Sequence, residues 1–247
     1  MTFKDHFSSQ AESYARFRPT YPASLYAWLA SRVPARDLVW DCGTGSGQAA
    51  VALAGHFAHV IASAPSREQI EHATAHTRVR YFVASAEQPP AEAMGADLVT
   101  VAQALHWFDF ERFYPALKRV LKTGGLFAAW GYGHLQITLE VDAVVRHYYT
   151  DVVGPYWPPD RLHIESGYRS IPFPLMELAT PEFEMTARWT LEDLIGYLDS
   201  WSATRRYLQA HDVNPLLSLR PTLTEAWGSA PERQVAWPLF LRLGQIK

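Results

Sequence analysis

The stretch Leu38-Val39-Trp40-Asp41-Cys42-Gly43-Thr44-Gly45-Ser46-Gly47 decides the fold of this chain. An apolar run reaches an acid at Asp41, three glycines then alternate with small residues, and a helix-forming run follows over residues 48–54. Strand, glycine turn and helix build nucleotide sites in α/β proteins, because glycine permits positive φ and lets backbone N–H groups approach a ligand. Three glycines within five positions exceed what a plain turn needs, so we predict a ligand site.

The spacing of these glycines fits two kinds of site. Read from Gly45, the pattern Gly45-x-Gly47-x-x-Ala50 matches the dinucleotide fingerprint with Ala at its third position. Read from Asp41, the pattern Asp-x-Gly-x-Gly-x-Gly resembles motif I of the class I S-adenosylmethionine (SAM) methyltransferases. A short glycine pattern does not decide between them, so other parts of the chain must.

The composition is that of a folded domain without a basic surface. Of the 247 residues, 48% are hydrophobic and 19% are charged, which predicts a sizeable core rather than disorder. The formal net charge is -3, so we expect no nucleic-acid partner. The sequence does not indicate an oligomeric state.

Cysteine usage and the start of the chain favour a cytoplasmic protein. Cys42 is the single cysteine, which excludes an internal disulfide framework and fits a reducing compartment. Ten histidines are scattered without metal-ligand spacing, so we expect no metal site. No apolar run is long enough to span a membrane, and residues 1–6 are too polar for a signal peptide, so we expect no membrane partner.

Hydrophobic patterns predict strands that alternate with helices over the first half of the chain, which indicates a parallel sheet with right-handed crossovers. The predicted strands cover residues 37–42, 59–62, 79–83, 97–102 and 126–130. Predicted helices cover residues 23–31, 67–77 and a segment whose inner face holds Phe113, Leu117, Val120 and Leu121. After Gly133 the regular alternation of strands and helices ends. We predict helices over 141–149, 190–198 and 215–227, strands over 183–189 and 234–243, and a proline-rich loop over 154–174.

Five segments of the first 130 residues carry a specific pattern. They are Arg18-Pro19-Thr20-Tyr21-Pro22, residues 39–48, Ala86-Glu87, Ala102-Gln103-Ala104-Leu105-His106-Trp107-Phe108-Asp109, and Arg119-Val120-Leu121-Lys122-x-Gly124-Gly125. Their order and spacing resemble the class I SAM-dependent methyltransferases and, within that class, the trans-aconitate methyltransferase-like (methyltransferase type 11) group.

This resemblance implies an α/β, Rossmann-like fold. The sheet would have seven strands, mostly parallel with the last antiparallel, helices on both faces and a helical substrate cap. A single methyltransferase domain would cover residues 1–247. Its parts would be N-terminal lid helices over 1–35, a SAM-binding core over 36–133, and cap helices with the last two strands over 134–247.

The resemblance also assigns a SAM site at the carboxyl ends of the strands, where α/β sheets bind ligands. Asp41 would be directed at the ammonium group of SAM. The turn residues around its methionine part would be Gly43, Thr44, Gly45, Ser46 and Gly47. Ala86 and Glu87 would lie near the adenine, and Gln103 and Ala104 under the sulfonium.

A second set of residues is assigned to the methyl acceptor and to the closing of the site. Tyr21, on the cofactor side, and Arg18 would close over the site, although surface packing of an N-terminal helix would equally explain both. The residues expected to contact the substrate are Arg18, Trp107, Tyr132, Trp201 and Arg205.

Arg205 is included because a helix that starts after Thr190 could place it on one face with Leu198, Trp201 and Leu208. A guanidinium in an apolar stripe needs an anionic partner, and a carboxylate substrate would supply one through a two-pronged contact. Two alternatives stay open: the helix breaks a few residues before Arg205, or Arg205 pairs with an internal carboxylate.

One position departs from the family pattern. Such enzymes usually carry an acid at the end of the second strand, where it holds both ribose hydroxyls, but Ala64 stands there. A hydrogen bond to a charged group is worth roughly 1.5–3 kcal/mol, so its loss would weaken SAM binding by about ten- to a hundredfold. We expect Ser63 and Ala64 beside the ribose, with Ser63 replacing part of the contact.

The predicted function is SAM-dependent methyl transfer to a small molecule, with O-methylation of a carboxylic acid as the form that the resemblance suggests. The protein would mainly align the reactants and exclude water. A carboxylate acceptor needs no base, whereas a phenol or hydroxyl does. His106, just after the fourth strand, is the candidate base. The alternative is a structural histidine that shapes the loop beside Trp107.

Two other functions fit part of the sequence. An NADP-dependent oxidoreductase would explain Gly45-x-Gly47-x-x-Ala50 and the position of Arg67, which could meet a 2′-phosphate. Asp41 and the segment 106–109 disfavour it. A degenerate methyltransferase fold that acts only as a binding protein would explain Ala64.

Overall fold

The computed structural model describes residues 17–246, and the predictions made for residues 1–16, nearly half of the expected lid, lie outside them. The strands are β1 (Leu38–Cys42), β2 (His59–Ala64), β3 (Val79–Val83), β4 (Ala96–Ala102), β5 (Leu121–Tyr132), β6 (Met176–Leu178), β7 (Glu184–Trp189) and β8 (Arg233–Gln245). The α-helices are α1 (Ala23–Arg32), α2 (Gln48–Leu53), α3 (Arg67–Glu71), α4 (Phe110–Val120), α5 (Leu139–His147), α6 (Arg161–Glu165), α7 (Leu191–Asp199), α8 (Ser202–His211) and α9 (Leu216–Trp227).

The strands form one sheet in the order β3-β2-β1-β4-β5-β8-β6, and β7 pairs with β8 beside this path. Strands β1 to β5 pair in parallel. Strand β8 runs antiparallel to β5, β6 and β7. The expected mostly parallel α/β sheet is therefore confirmed. Strand β6, which was not predicted, completes the path of seven strands, and β7, predicted as one of the seven, is an eighth strand that pairs only with β8.

The central strands are apolar because helices cover both faces of the sheet. Trp40 on β1 and its register partners Ile61 and Val99 belong to the cluster that α4 covers. The preceding residue, Val39, points to the opposite face and joins Leu25 of α1 in a second cluster. Because successive side chains of a strand point to opposite faces, this one short strand contributes side chains to both cores.

The residues after β5 form a helical layer with a core of its own. This third cluster draws on α5, α7, α8, α9, β7 and the first half of β8, and Val141, Leu194 and Leu223 are fully buried in it. Its position beyond the carboxyl end of β5 is where a cap was expected.

Strand β8 joins this layer to the sheet. Its residues 233–238 pair with β7, and its residues 239–245 pair with β5. Val235 and Trp237 accordingly belong to the core of the helical layer, whereas Leu243 belongs to a core of the sheet.

Several predicted boundaries differ from the structure. Helix α3 ends at Glu71 rather than near residue 77, because none of its side chains is buried and no packing extends it. Leu121, placed on the inner face of a helix, has extended backbone and begins β5. The proline-rich loop contains a 3₁₀ turn over Gly154–Tyr156 and helix α6.

The continuous helix through Arg205 does not form, and the alternative, a break a few residues before Arg205, is the one observed. Helix α7 ends at Asp199, and Trp201 has extended backbone as the residue that precedes α8. Side-chain hydroxyl groups donate hydrogen bonds to backbone carbonyls at the end of α7. Ser200 Oγ donates to the Tyr197 carbonyl at 2.6 Å, and Thr204 Oγ1 donates to the Leu198 carbonyl at 2.8 Å. Such side-chain bonds compete with helix propagation.

No helix within residues 17–246 is both long and apolar enough to cross a membrane. Over the same part of the chain, no three histidine, cysteine, aspartate or glutamate side chains come together in a way that could hold a metal ion.

Candidate active site

The glycine turn between β1 and α2 has the backbone conformation that its sequence predicts. Gly43, Gly45 and Gly47 have φ angles of 73°, 56° and 83°. A Cβ at Gly43 would lie 2.8 Å from Cβ of Ala104, and a Cβ at Gly47 would collide with the Tyr81 hydroxyl. Tyr81 on β3 and Ala104 in the loop after β4 therefore exclude side chains at two of the three positions.

Gly45 differs from its two neighbours because it faces open space. Within residues 17–246, no heavy atom outside its chain neighbours lies within 4 Å of the place where its Cβ would stand. Among the described residues, no acceptor takes the backbone N–H of Gly45 or of Ser46. A turn with open space and two unused donors fits the methionine carboxylate of SAM.

The carbonyl of Ser63 at the end of β2 holds the beginning of this turn. It accepts the N–H of Gly43 at 2.8 Å and that of Thr44 at 2.9 Å. At the other end, the carbonyl of Ser46 accepts the N–H of Thr74, and the Tyr81 hydroxyl donates to the Thr74 carbonyl at 2.7 Å. The turn is thus fixed before any ligand binds.

Asp41 is a fully buried acid at the end of β1. Its carboxylate accepts hydrogen bonds from Thr44 Oγ1 at 2.6 Å and from Thr100 Oγ1 on β4 at 2.7 Å. Burial raises its pKa to about 6, although the two threonine bonds oppose this rise. No cationic side chain of the described residues pairs with it. A ligand ammonium, as in SAM, would supply the missing positive charge.

The missing ribose acid is at the expected place, but Ser63 does not replace it. Ala64 is the last residue of β2. Ser63 is fully buried, and its hydroxyl accepts the indole N–H of Trp40 at 2.9 Å. Because successive strand side chains point to opposite faces, the Ser63 side chain serves the core. The prediction that its side chain contacts the ribose is therefore wrong, and its carbonyl supports the turn instead.

The other residues assigned to the cofactor lie around the same edge of the sheet. Ala104 contacts the turn at Gly43, as the close approach to its Cβ shows. Ala86 is buried, and Glu87 Oε1 accepts the backbone N–H of Asp109 at 3.0 Å, at the start of α4. This bond makes Glu87 part of the scaffold that joins the loop after β3 to the loop after β4.

Gln103 links the ends of β4 and β5. Its backbone has a φ of 54°, which is unusual for a residue with a side chain. Its Oε1 accepts the backbone N–H of Tyr132 at 2.9 Å. Strained residues that the surroundings hold in place often lie at functional sites, which agrees with its assignment beneath the sulfonium.

The segment before α1 reaches both the glycine turn and the helical layer. The Pro19 carbonyl accepts from Gln48 Nε2, at the start of α2, at 3.2 Å. Arg18 donates to the Tyr132 hydroxyl and to the Ser200 carbonyl, each at 3.2 Å. The ring of Tyr21 lies 6.1 Å from that of Tyr132. Arg18, Tyr21 and Tyr132, which were predicted separately, are therefore brought together.

His106 does not have the properties of a general base. It is 6% exposed, and its Nδ1 shares a hydrogen bond of 3.1 Å with the Tyr168 hydroxyl. Burial, together with the positive charge of Arg161, lowers its pKa to about 3. A group with such a pKa accepts a proton poorly at neutral pH. The structure therefore favours the alternative role, a structural histidine that shapes the loop beside Trp107. The ring centres of His106 and Trp107 are 4.6 Å apart.

Trp201 and Arg205 lie deeper in the helical layer than expected. Trp201 is 4% exposed, and it packs among aromatic rings of that layer, including Tyr149 at 5.8 Å. Arg205 donates to the carboxylate of Asp199 at the end of α7. The internal ion pair that the sequence left open as an alternative is thus the one observed.

Sequence reasoning missed three residues that shape the site. Thr100 binds Asp41 from β4, Tyr81 fixes the glycine turn from β3, and Arg161 acts on His106 from α6. All three come from segments far from the turn in the sequence. Only the paired strands and the folded loop place them there.

The family model, the relative and the solved structure described next, to which this chain is similar, are all described as methyltransferases. Residues 40–129 match the family described as "Methyltransferase domain". A protein of Dictyostelium discoideum whose name assigns it to the methyltransferases is 37% identical over 259 residues, which cover 98% of this chain and 95% of the relative. A solved structure from Anaeromyxobacter dehalogenans, described as a type II methyltransferase, has 44% identity and a TM-score of 0.84, with 92% of this chain and 97% of that chain covered.

An α/β sheet with a glycine turn, a buried acid and open space at its carboxyl edge defines a nucleotide-type site. The matches over nearly the whole chain give its class: the chain belongs to the class I SAM-dependent methyltransferases. Its cofactor is SAM, and the oxidoreductase and the purely binding alternatives are set aside.

Proposed function

We propose that this methyltransferase forms methyl esters on small organic acids. One observation carries the proposal: the histidine at the carboxyl edge of the sheet has a pKa of about 3 and is bound to Tyr168. An acceptor that must lose a proton could not rely on His106 as its base. A carboxylate is already ionised at neutral pH and attacks without one.

The residues of the chain then hold SAM and exclude water from the reacting groups. Bound SAM supplies an electrophilic methyl group on a sulfonium. The glycine turn and Asp41 would hold its amino-acid part, and Gln103 and Ala104 would line the edge of the sheet beneath. The helical layer would exclude water from the acceptor, which protects the alignment on which such a displacement depends.

The resemblance to the trans-aconitate methyltransferase-like group supports the same acceptor class. Its segments include Arg18, which the structure ties to Tyr132 and Ser200 between sheet and helical layer.

The proposal predicts the chemistry of the product. Incubation with methyl-labelled SAM and trans-aconitate, succinate or benzoate should give label that mild alkali releases as methanol, because esters hydrolyse there and ethers or N-methyl groups do not. Catechol and a primary amine serve as uncharged-oxygen and nitrogen acceptors in parallel. Label that appears only in alkali-stable products would contradict an ester-forming enzyme.

A further inference from the structure

Arg161 is a cationic residue that the reading of the sequence did not assign to any role. It begins helix α6, which packs against the turn Leu105–Trp107 directly after β4. This turn lies beside Ala104, at the carboxyl edge of the sheet where the cofactor site is built. The helix therefore carries Arg161 to the segment that follows β4, although Arg161 lies 54 residues beyond Trp107 in the sequence.

Aromatic rings hold this guanidinium on one side. Its central carbon lies 4.7 Å from the ring centre of Trp157 and 5.6 Å from that of Tyr149. Its Nε donates to the Tyr149 hydroxyl at 3.2 Å. Two cation–π contacts and one hydrogen bond hold the group in place before any ligand arrives.

The outer edge of the fork is not used by the protein. Within residues 17–246, no acceptor takes a hydrogen bond from either terminal nitrogen of Arg161, and no carboxylate forms an ion pair with it. The nearest acid along its helix, Glu165, accepts instead from the Tyr149 hydroxyl. A fixed guanidinium with two free parallel donors is the arrangement that binds a carboxylate with two hydrogen bonds.

The charge of Arg161 acts on groups at the carboxyl edge of the sheet. It contributes to the low pKa of His106 after β4, and it acts against the burial that raises the pKa of Tyr132 at the end of β5. One guanidinium thus acts on groups at both strand ends that Gln103 joins. Together with the packing of α6 against the turn Leu105–Trp107, this places Arg161 near that edge.

We propose that Arg161 is the residue that selects an anionic acceptor, by binding its carboxylate through the two terminal nitrogens of the guanidinium. This inference rests on the proposed function for the acceptor class, and it adds the specificity-determining residue. The rings of Trp157 and Tyr149 beside the fork would contact the carbon skeleton that carries the carboxylate. Arg161 does not move a proton; it places the acceptor.

Binding measurements test this without turnover. Trans-aconitate, succinate and benzoate, each beside its uncharged methyl ester, are titrated calorimetrically into protein saturated with S-adenosylhomocysteine. Arg161→Gln should weaken the acid that binds best by about 10- to 100-fold and leave the ester unchanged, because one bidentate charged contact is lost. Arg161→Lys keeps the charge but not the fork and should fall between. Arg188→Gln, on the exposed face of β7, is the matched control and should bind like wild type.

The outcomes separate the inference from the proposed function. Equal acid binding by wild type and Arg161→Gln overturns the inference, as does a wild-type protein that binds none of the three acids. Ester formation by wild type with an unchanged KM in Arg161→Gln overturns the inference and leaves the proposed function intact. If the wild type binds acids in a way that depends on Arg161 but forms no ester, the inference stands and the proposed function is overturned. Support requires a raised KM with kcat within a few-fold of wild type.

Discussion

Asp41 is the residue whose chemistry most directly links burial to cofactor binding. Its pKa of about 6 means that the free protein holds the acid partly protonated in mildly acidic solution. The ammonium of SAM binds the carboxylate and not the protonated acid. Binding therefore lowers this pKa, and affinity must fall when the pH falls through the value of the free protein.

We expect the affinity for S-adenosylhomocysteine to be constant near pH 7 and to fall below pH 6 by up to about tenfold per pH unit. Titration calorimetry between pH 5 and pH 7 measures this, in a range where the ligand's own amino group stays protonated. Asp41→Asn, which cannot ionise, should bind weakly at every pH. A wild-type affinity that stays constant down to pH 5 would show that Asp41 does not bind the ammonium.

Gly45 allows the space for the cofactor to be tested separately from backbone strain. Its φ of 56° disfavours a side chain, but its Cβ position is open. Gly45→Val should leave a folded protein with loss of S-adenosylhomocysteine binding beyond detection, because the side chain fills the ligand's space. Binding is measured by calorimetry and folding by circular dichroism.

Gly95 provides the matched control for that substitution. It also has a positive φ, 81°, and its Cβ position has one neighbour, at 3.9 Å, but it precedes β4 at the far edge of the sheet. Gly95→Val should lose about 1 kcal/mol or more of stability from the same backbone strain and retain binding. If Gly45→Val binds S-adenosylhomocysteine as well as Gly95→Val does, the open space at Gly45 is not the cofactor site.

At the scale of elements, the break between α7 and α8 decides the role of Arg205. A continuous helix would have carried Arg205 along an apolar stripe towards a ligand. The break instead sets it beside Asp199, and the two side chains are 27% and 25% exposed. Asp199 also accepts from Asn214 Nδ2 at 3.3 Å, so this carboxylate fastens α7, α8 and the start of α9.

We therefore expect Arg205→Ala to lower the free energy of unfolding by about 1–3 kcal/mol, because it leaves a half-buried carboxylate without its charged partner. The KM for the acceptor should stay within about twofold of wild type. Denaturant unfolding and steady-state kinetics measure the two effects. Asp199→Ala should cost less in the Arg205→Ala background than in wild type, since the ion pair is already lost there and only the Asn214 hydrogen bond remains. A raised KM with unchanged stability would instead return Arg205 to the substrate site.

At the scale of the whole molecule, β8 makes the sheet and the helical layer one structure. Its first half belongs to the core of the layer and its second half to the sheet, so it holds the two together. Segments distant in sequence also meet near the carboxyl ends of β4 and β5: the residues before α1 are bound at Tyr132, and helix α6 packs against the turn Leu105–Trp107. Three separate parts of the chain thus converge at this edge of the sheet.

Much of this arrangement was predictable because it depends on local patterns. Short runs of mainly apolar residues predicted β1 to β5, and Thr190, which forms a capping box with Asp193, marked the start of α7. The glycine turn required positive φ at three positions, and the structure has it at all three. Ala64 also stands where the strand pattern placed it, at the end of β2.

The sequence by itself determined the α/β order, the glycine turn and the acid beside it, because each depends on neighbouring residues and on strand or helix periodicity. Tertiary structure alone decided the chemistry of individual groups. Burial makes Asp41 a weaker acid and His106 a far weaker base, turns Ser63 towards the core and joins Arg205 to Asp199. Solvation and charge partners set these properties, and both come from residues distant in sequence.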